Sequence, residues 1–253
     1  MQKKTIFVSA MAKDEAAVQK LFARIKSYGM DVNGHFWNHE AQDLTKEIPS
    51  AEVEKCDAWV IVAPEILDQQ SMIGLSLTIL TVKAHRKFQV PVLIVGPQQP
   101  LTAVLSAAEF CEESKLGAKL AARCALKKNW PEQSFNLCFH NQPGVGFWLE
   151  AGPRGETWKG ALSGIDTSLG GTLDFLAVGP AGSLPERTVL EYPFKDARLT
   201  SGNTEYTAWG CGNKLEEGDS IFVRIKGVVP SLIIGQGLGE EDSMDCLVIK
   251  LSV

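Results

Sequence analysis

Ala58-Trp59-Val60-Ile61-Val62-Ala63 is six apolar residues in a row, without the alternation of a half-exposed strand. A run this short and rich in β-branched residues marks a strand covered on both faces, as in a parallel sheet. Val90-Pro91-Val92-Leu93-Ile94-Val95 repeats the pattern downstream, and Thr5-Ile6-Phe7-Val8-Ser9 supplies a strand upstream. Helical stretches separate them. Between residues 14 and 28, Val18, Leu21, Phe22 and Ile25 recur at three- and four-residue spacing, which predicts a helix with one buried face. Asp14 is its N-cap candidate and Gly29 its stop. Residues 73–87 read as another helix. This βαβ alternation predicts a doubly wound parallel sheet. Such a sheet gathers functional loops at the C-terminal strand ends, here residues 9–13, 35–45 and 63–71.

Residues 101–127 are Ala-rich and read as helical, and Lys127-Lys128-Asn129-Trp130-Pro131 reads as a domain boundary. Beyond it the pattern changes to short strands separated by Gly, Pro and Asn turns, such as Asn141-Gln142-Pro143-Gly144. Strand candidates are 135–139, 146–150, 172–178, 188–192, 206–209, 220–225, 231–234 and 246–251. The fold class expected is therefore α/β plus all-β: an α/β domain over residues 1–128, then a β-sandwich or barrel over 133–253.

Composition narrows the function classes. The net charge of -5 argues against broad electrostatic coating of nucleic acid or anionic membrane, while leaving room for a local basic face. No run approaches the roughly 18–20 apolar residues that span a bilayer. Lys3-Lys4 is followed only by Ile6-Phe7-Val8, too short for a secretory core. The six cysteines form no CxxC pair and no regular spacing, which points to reduced thiols in a cytoplasmic setting and to no zinc site. His35 and His39 stand four apart and would share a helix face, but no third ligand accompanies them, so no metal is expected.

Ile6-Phe7-Val8-Ser9-Ala10 followed by Lys13-Asp14-Glu15 resembles the first strand and helix start of Toll/interleukin-receptor (TIR) domains. The polar loop Phe36-Trp37-Asn38-His39-Glu40, running on to Ile48-Pro49, resembles their BB loop. Cys56-Asp57-Ala58 through Ala63-Pro64 is similar to their central strand and its exit. The likeness covers about 95 residues. It implies a flavodoxin-like sheet, and it makes Ser9, Asp14 and Trp37 candidate ligand-binding residues. A nucleoside deoxyribosyltransferase-like flavodoxin relative has nearly the same strand pattern. Enzymes of both families place a carboxylate near the start of the helix after the central strand, where it stabilises the positive charge that develops on a ribose during N-glycosidic cleavage. Here the segment reads Ser71-Met72-Ile73-Gly74-Leu75-Ser76-Leu77-Thr78, with Ser76 at the glutamate position and no acid. A neutral hydroxyl cannot supply that field.

The resemblance thus implies a non-catalytic signalling or assembly protein that self-associates and engages a protein partner, in bacterial immune defence. It implies no cofactor. The alternative is an N-glycosidase, with NAD or a nucleoside as substrate, using a displaced carboxylate; Glu65 is the first candidate and Asp68 the second.

In the second half, Thr207-Ala208-Trp209-Gly210-Cys211-Gly212-Asn213-Lys214, a Glu217-Gly218-Asp219 turn and the strand Leu232-Ile233-Ile234-Gly235 resemble PUA-like EVE domains over about 35 residues. That likeness implies a pocket for a modified base, with Trp209 stacking and Asn213 or Asp219 bonding a base edge, and so a reader of modified nucleic acid. Phe147, Trp148, Trp158 and Tyr206 are further aromatics, for which core packing is the expectation. Gly235-Gln236-Gly237-Leu238-Gly239 has the wrong spacing for a dinucleotide fingerprint, and Glu240-Glu241-Asp242 would repel a phosphate there.

Overall fold

The computed structural model describes residues 3–40, 43–237 and 246–253. The reading of Leu238, Gly239 and Glu240-Glu241-Asp242 lies outside them. The chain divides into two compact units: Met1–Gln42, Glu47–Trp130 and Val253 form one, Asp43–Lys46 and Pro131–Ser252 the other.

The first unit is a five-stranded parallel sheet in the order β2-β1-β3-β4-β5. Its strands are β1 (Thr5–Ala10), β2 (Asp31–Phe36), β3 (Ala58–Val62), β4 (Val92–Val95) and β5 (Glu109–Cys111), joined with helices α1 (Glu15–Ser27), α3 (Ser50–Lys55), α4 (Gln69–His85) and α5 (Leu116–Cys124), while the short α2 (Leu44–Glu47) falls mostly in the segment assigned to the second unit. Ile6, Val8, Ala58, Val60 and Leu93 form one core with Leu21 and Ile25 of α1 and Leu116 and Leu120 of α5. Each fully buried Leu or Ile there is worth about 2 kcal/mol of transfer free energy. The alternate residues Phe7, Ser9, Trp59, Ile61 and Ile94 are buried too, so both faces of the sheet are covered.

Asp14 caps α1 by accepting from Ala17 N–H at 3.0 Å, and Gly29 ends it at φ +77°, both as read from the sequence. α4 behaves differently: every residue from Ser71 to Val82 is buried. A helix apolar all round belongs inside a protein rather than on it.

Residues 101–127 are not one helix. They hold a 3-10 turn at Ala103–Leu105, then β5, a second 3-10 turn at Glu113–Lys115 and α5. Alanine favours helix by only a fraction of a kcal/mol per residue, and pairing overrides it: Leu93, Ile94 and Val95 of β4 pair with Glu109, Phe110 and Cys111.

The second unit consists of two antiparallel sheets. One has the order β10-β11-β8-β13-β14, from β8 (Trp158–Ile165), β10 (Phe194–Ser201), β11 (Thr204–Leu215), β13 (Ser231–Gln236) and β14 (Cys246–Lys250). The other has the order β6-β7-β12-β9, from β6 (Asn136–Gln142), β7 (Gly146–Gly152), β9 (Thr172–Pro180) and β12 (Asp219–Lys226). β8 and β11 of the first approach β9 and β12 of the second. Phe139, Phe147, Leu149, Ile221 and Val223 are wholly or almost wholly buried.

Two strands, β8 and β10, carry no clear sequence signal, and one expected at 188–192 is absent. There the backbone is held to β11 by a side chain instead of by strand pairing: Asn213 accepts from Glu191 N–H and donates to the Val189 carbonyl, both at 2.9 Å. Val189 and Tyr192 remain 83% and 84% exposed.

Candidate functional site

In a parallel sheet the carboxyl ends of neighbouring strands open a crevice wherever successive connections depart in opposite directions. Here β1 lies between β2 and β3, so its C-terminal end borders that crevice. The register sets Ser9 beside His35 on one side and Ile61 on the other. Ser9 Oγ accepts from Trp59 Nε1 at 2.9 Å and meets His35 Nε2 at 2.9 Å. Burial pushes the His35 pKa down, Glu52 opposing weakly, so the ring is held neutral. Trp37 packs edge-on to it, ring centres 5.9 Å apart, and is 1% exposed with an indole N–H that has no hydrogen-bond partner among the described residues.

A second cluster ties the loops above the crevice. His39 Nδ1 lies 2.9 Å from Asp68 Oδ2 and its Nε2 2.5 Å from the Met11 carbonyl. Ser71 hydroxyl donates to Asp68 Oδ2 at 2.7 Å, and Ser71 N–H to Oδ1 at 2.8 Å, which makes Asp68 the N-cap of α4. Burial would raise the Asp68 pKa, but the Ser71 and His39 bonds outweigh it and leave the carboxyl below its ordinary range. One imidazole therefore joins the loops after β1, β2 and β3. The two histidines do not share a helix face, since His35 belongs to β2. Among the described residues no cluster could hold a metal ion.

Of the residues singled out from sequence, Ser9 and Trp37 come together at the crevice, while Asp14 caps α1 nearby in the chain. Glu65 is exposed in the loop after β3. Ser76 lies two turns into α4, wholly buried, with its hydroxyl 3.0 Å from that of Thr102. Sequence reasoning left His35, Trp59 and Ser71 without a role. The available signal was the register itself: Ser9 and His35 each stand one residue before the end of their strands.

Burial argues against Cys56 and Cys124 as nucleophiles. The six cysteines form no disulfide, and burial pushes the Cys56 thiol up to about 12 and the Cys124 thiol up to about 11.

In the second unit the three proposed base contacts each have an internal partner. Trp209 is 8% exposed, donates from Nε1 to Asp196 Oδ1 at 3.1 Å and carries the Lys195 ammonium 4.3 Å from its ring centre. Asn213 latches the 189–191 segment, and Asp219 Oδ2 accepts from Glu216 N–H at 3.0 Å to close a turn. Phe147, Trp148, Trp158 and Tyr206 are all buried. Glu150 is a buried carboxylate, 4% exposed, bonded to His140 Nε2 (3.0 Å), Gly182 N–H (2.6 Å) and Ser220 hydroxyl (3.1 Å). Burial would raise its pKa; those three contacts pull it below the ordinary value.

No helix among the described residues is long and apolar enough to cross a membrane. No protein-family description matches the chain, and no curated protein matches it. Among solved structures, a 3-dehydroquinate dehydratase-like protein from Bifidobacterium longum is similar at 17% identity and a TM-score of 0.33, covering 49% of this chain and 97% of that one, a likeness too slight to carry an argument about fold or chemistry.

Proposed function

We propose that the chain is a non-catalytic assembly protein: a flavodoxin-like, TIR-type unit that self-associates, followed by a β unit that docks a protein partner. The strand order β2-β1-β3-β4-β5 supports the first part, being the order of flavodoxin-like sheets. The observation that carries the absence of catalysis is the burial of Ser76, whose hydroxyl is engaged by Thr102. The position at which the resemblance expects a ribose-facing carboxylate is neutral and faces the interior. A role in bacterial immune defence rests on the resemblance alone.

The test is nicotinamide release from NAD across a protein concentration series, with light scattering on the same samples. The expected result is oligomers that grow with concentration and no turnover at any point. Turnover in assembled samples, or a strict monomer throughout even with candidate partners added, would overturn this reading.

One observation favours a second reading, an N-glycosidase acting on NAD or a nucleoside. Asp68 is a carboxylate in the loop after β3 whose orientation is fixed by Ser71 and His39, which favours it over Glu65 as the substitute. Turnover abolished by Asp68→Asn and kept by Glu65→Gln is its signature.

A further inference from the structure

Residues 83–90 and 123–130 contain six basic residues, Lys83, Arg86, Lys87, Arg123, Lys127 and Lys128, and no Asp or Glu, in a chain whose net charge is -5. The fold brings the two stretches together. Phe88 and Asn129 form an antiparallel bridge, Gln89 N–H donates to the Lys128 carbonyl at 2.8 Å, and Trp130 Nε1 donates to the Arg86 carbonyl at 2.7 Å. Two ammonium groups then sit over one ring: Lys87 Nζ at 5.5 Å and Lys127 Nζ at 5.4 Å from the centre of Phe88. None of Lys87, Lys127 and Lys128 is ion-paired with a carboxylate among the described residues. These exposed ammonium groups have no internal counter-charge among the described residues, and a polyanion could supply it to all three at once.

Beside them lies a cleft of about 140 Å³, walled by Pro91, Ala107 and the 59% exposed Leu126, with Lys128 at its edge. Its one acid, Glu109, is taken up by Arg123 at 2.7 Å and Lys119 at 3.7 Å. The volume is well under the roughly 300 Å³ of a pocket that encloses a whole small molecule. It suits a single planar ring whose remainder stays outside.

We propose that this face binds single-stranded nucleic acid, with successive phosphates on Lys87, Lys127 and Lys128 and one base seated in the cleft against Pro91 and Leu126. An acidic peptide would use the lysines and leave the cleft, with its Pro91 and Leu126 walls, empty. A membrane surface would meet a concave site instead of a protruding apolar wedge. Stacking platforms beside cationic tracks are the general means of holding single strands. The surface belongs to the first unit and is independent of the crevice and of the assembly reading above.

The experiment is fluorescence anisotropy with the full chain and a labelled single strand of about 15 nucleotides, a length within the usual site sizes. Three phosphate contacts on a single strand imply a log–log salt slope of about -2, so affinity falls roughly 20-fold between 50 and 200 mM salt. Lys87→Glu/Lys127→Glu/Lys128→Glu is expected to abolish binding, Leu126→Asp to weaken it at least about tenfold, and Lys20→Glu, an exposed charge change on α1, to leave it unchanged. No binding at 50 mM salt overturns the proposal, and so does binding that survives the triple substitution. Displacement of the strand by polyglutamate or phosphatidylserine vesicles as readily as by unlabelled strand would reassign the face to acidic protein or to membrane.

Discussion

Ser76 Oγ lies 3.0 Å from Thr102 Oγ1 with none of the residue exposed, and its neighbours on α4, Leu75 and Leu77, are apolar and buried. A carboxylate there would lose its hydration without a cation to pair with, at a cost of several kcal/mol. Ser76→Glu is therefore expected to lower the urea midpoint severely and to create no NAD turnover, whereas Ser76→Ala, losing the hydroxyl's contacts, should cost about 1 kcal/mol. A stable Ser76→Glu protein that released nicotinamide would show that the position opens to solvent after all. Gly160 makes a parallel argument from the backbone. Its φ is +90°, and a Cβ would stand 2.6 Å from the Gly237 carbonyl oxygen. Both the left-handed conformation and the closeness of backbone forbid a side chain, so Gly160→Ala should destabilise by about 2–3 kcal/mol in the same assay.

At the scale of elements, α4 begins where Asp68 caps it, and that cap is shared with His39. Asp68→Ala removes both functions, while Asp68→Asn keeps a good capping side chain and removes only the charge. The expected order of urea midpoints is wild type, then Asn, then Ala, with the Ala variant lower by about 1 kcal/mol; equal losses would mean that the cap is incidental and the charge does everything. The start of this helix was legible only in part, because the apolar run from Ile73 onward dominates while the cap precedes it by five residues. Continuous apolar strands such as Ala58–Val62 read plainly, since burial on both faces leaves no other use for five apolar residues in a row. β8 did not: Gly160, Ala161 and Gly164 look like turn and helix residues. Yet a Cβ on Gly164 would meet Ile233 Cγ2 at 2.8 Å and Ala208 Cβ at 3.0 Å, so the central strand is small because its neighbours crowd it. β10 was hidden for the opposite reason, as an edge strand with many exposed, charged residues. The site was less legible than the fold. Ser9 and Trp37 could be picked out by their place in the chain, but the pairing of Ser9 with His35 and of Asp68 with His39 depends on register and on loops 28 residues or more apart in sequence.

For the whole molecule, the hydrogen-bonded and partly buried titratable groups shape how stability responds to acid. His35 has its pKa lowered by burial from an ordinary 6.5, so above that value the folded and unfolded rings are both neutral and stability is flat. As pH falls below 6.5 the unfolded chain takes up a proton that the folded one refuses, and stability declines by at most about 1.4 kcal/mol per pH unit. A separate loss follows at lower pH. Asp68 and Asp174, ordinarily near 3.8, and Glu150, ordinarily near 4.5, are held below those values: burial opposes this in each, and Ser71 and His39, Arg224 and Lys226, and His140, Gly182 and Ser220 respectively overcome it. Their contribution is complete above the ordinary carboxylate values and disappears as pH drops through the depressed ones. Urea midpoints measured from pH 8 to pH 3 should therefore hold level, fall gently below 6.5 and fall steeply below about 4.5. His35→Asn should remove the gentle slope and keep the steep one; Glu150→Gln should flatten part of the steep one and keep the gentle one. Because the two histidine and carboxylate windows hardly overlap, a single steep transition unaffected by either substitution would mean that neither group is buried as its contacts imply.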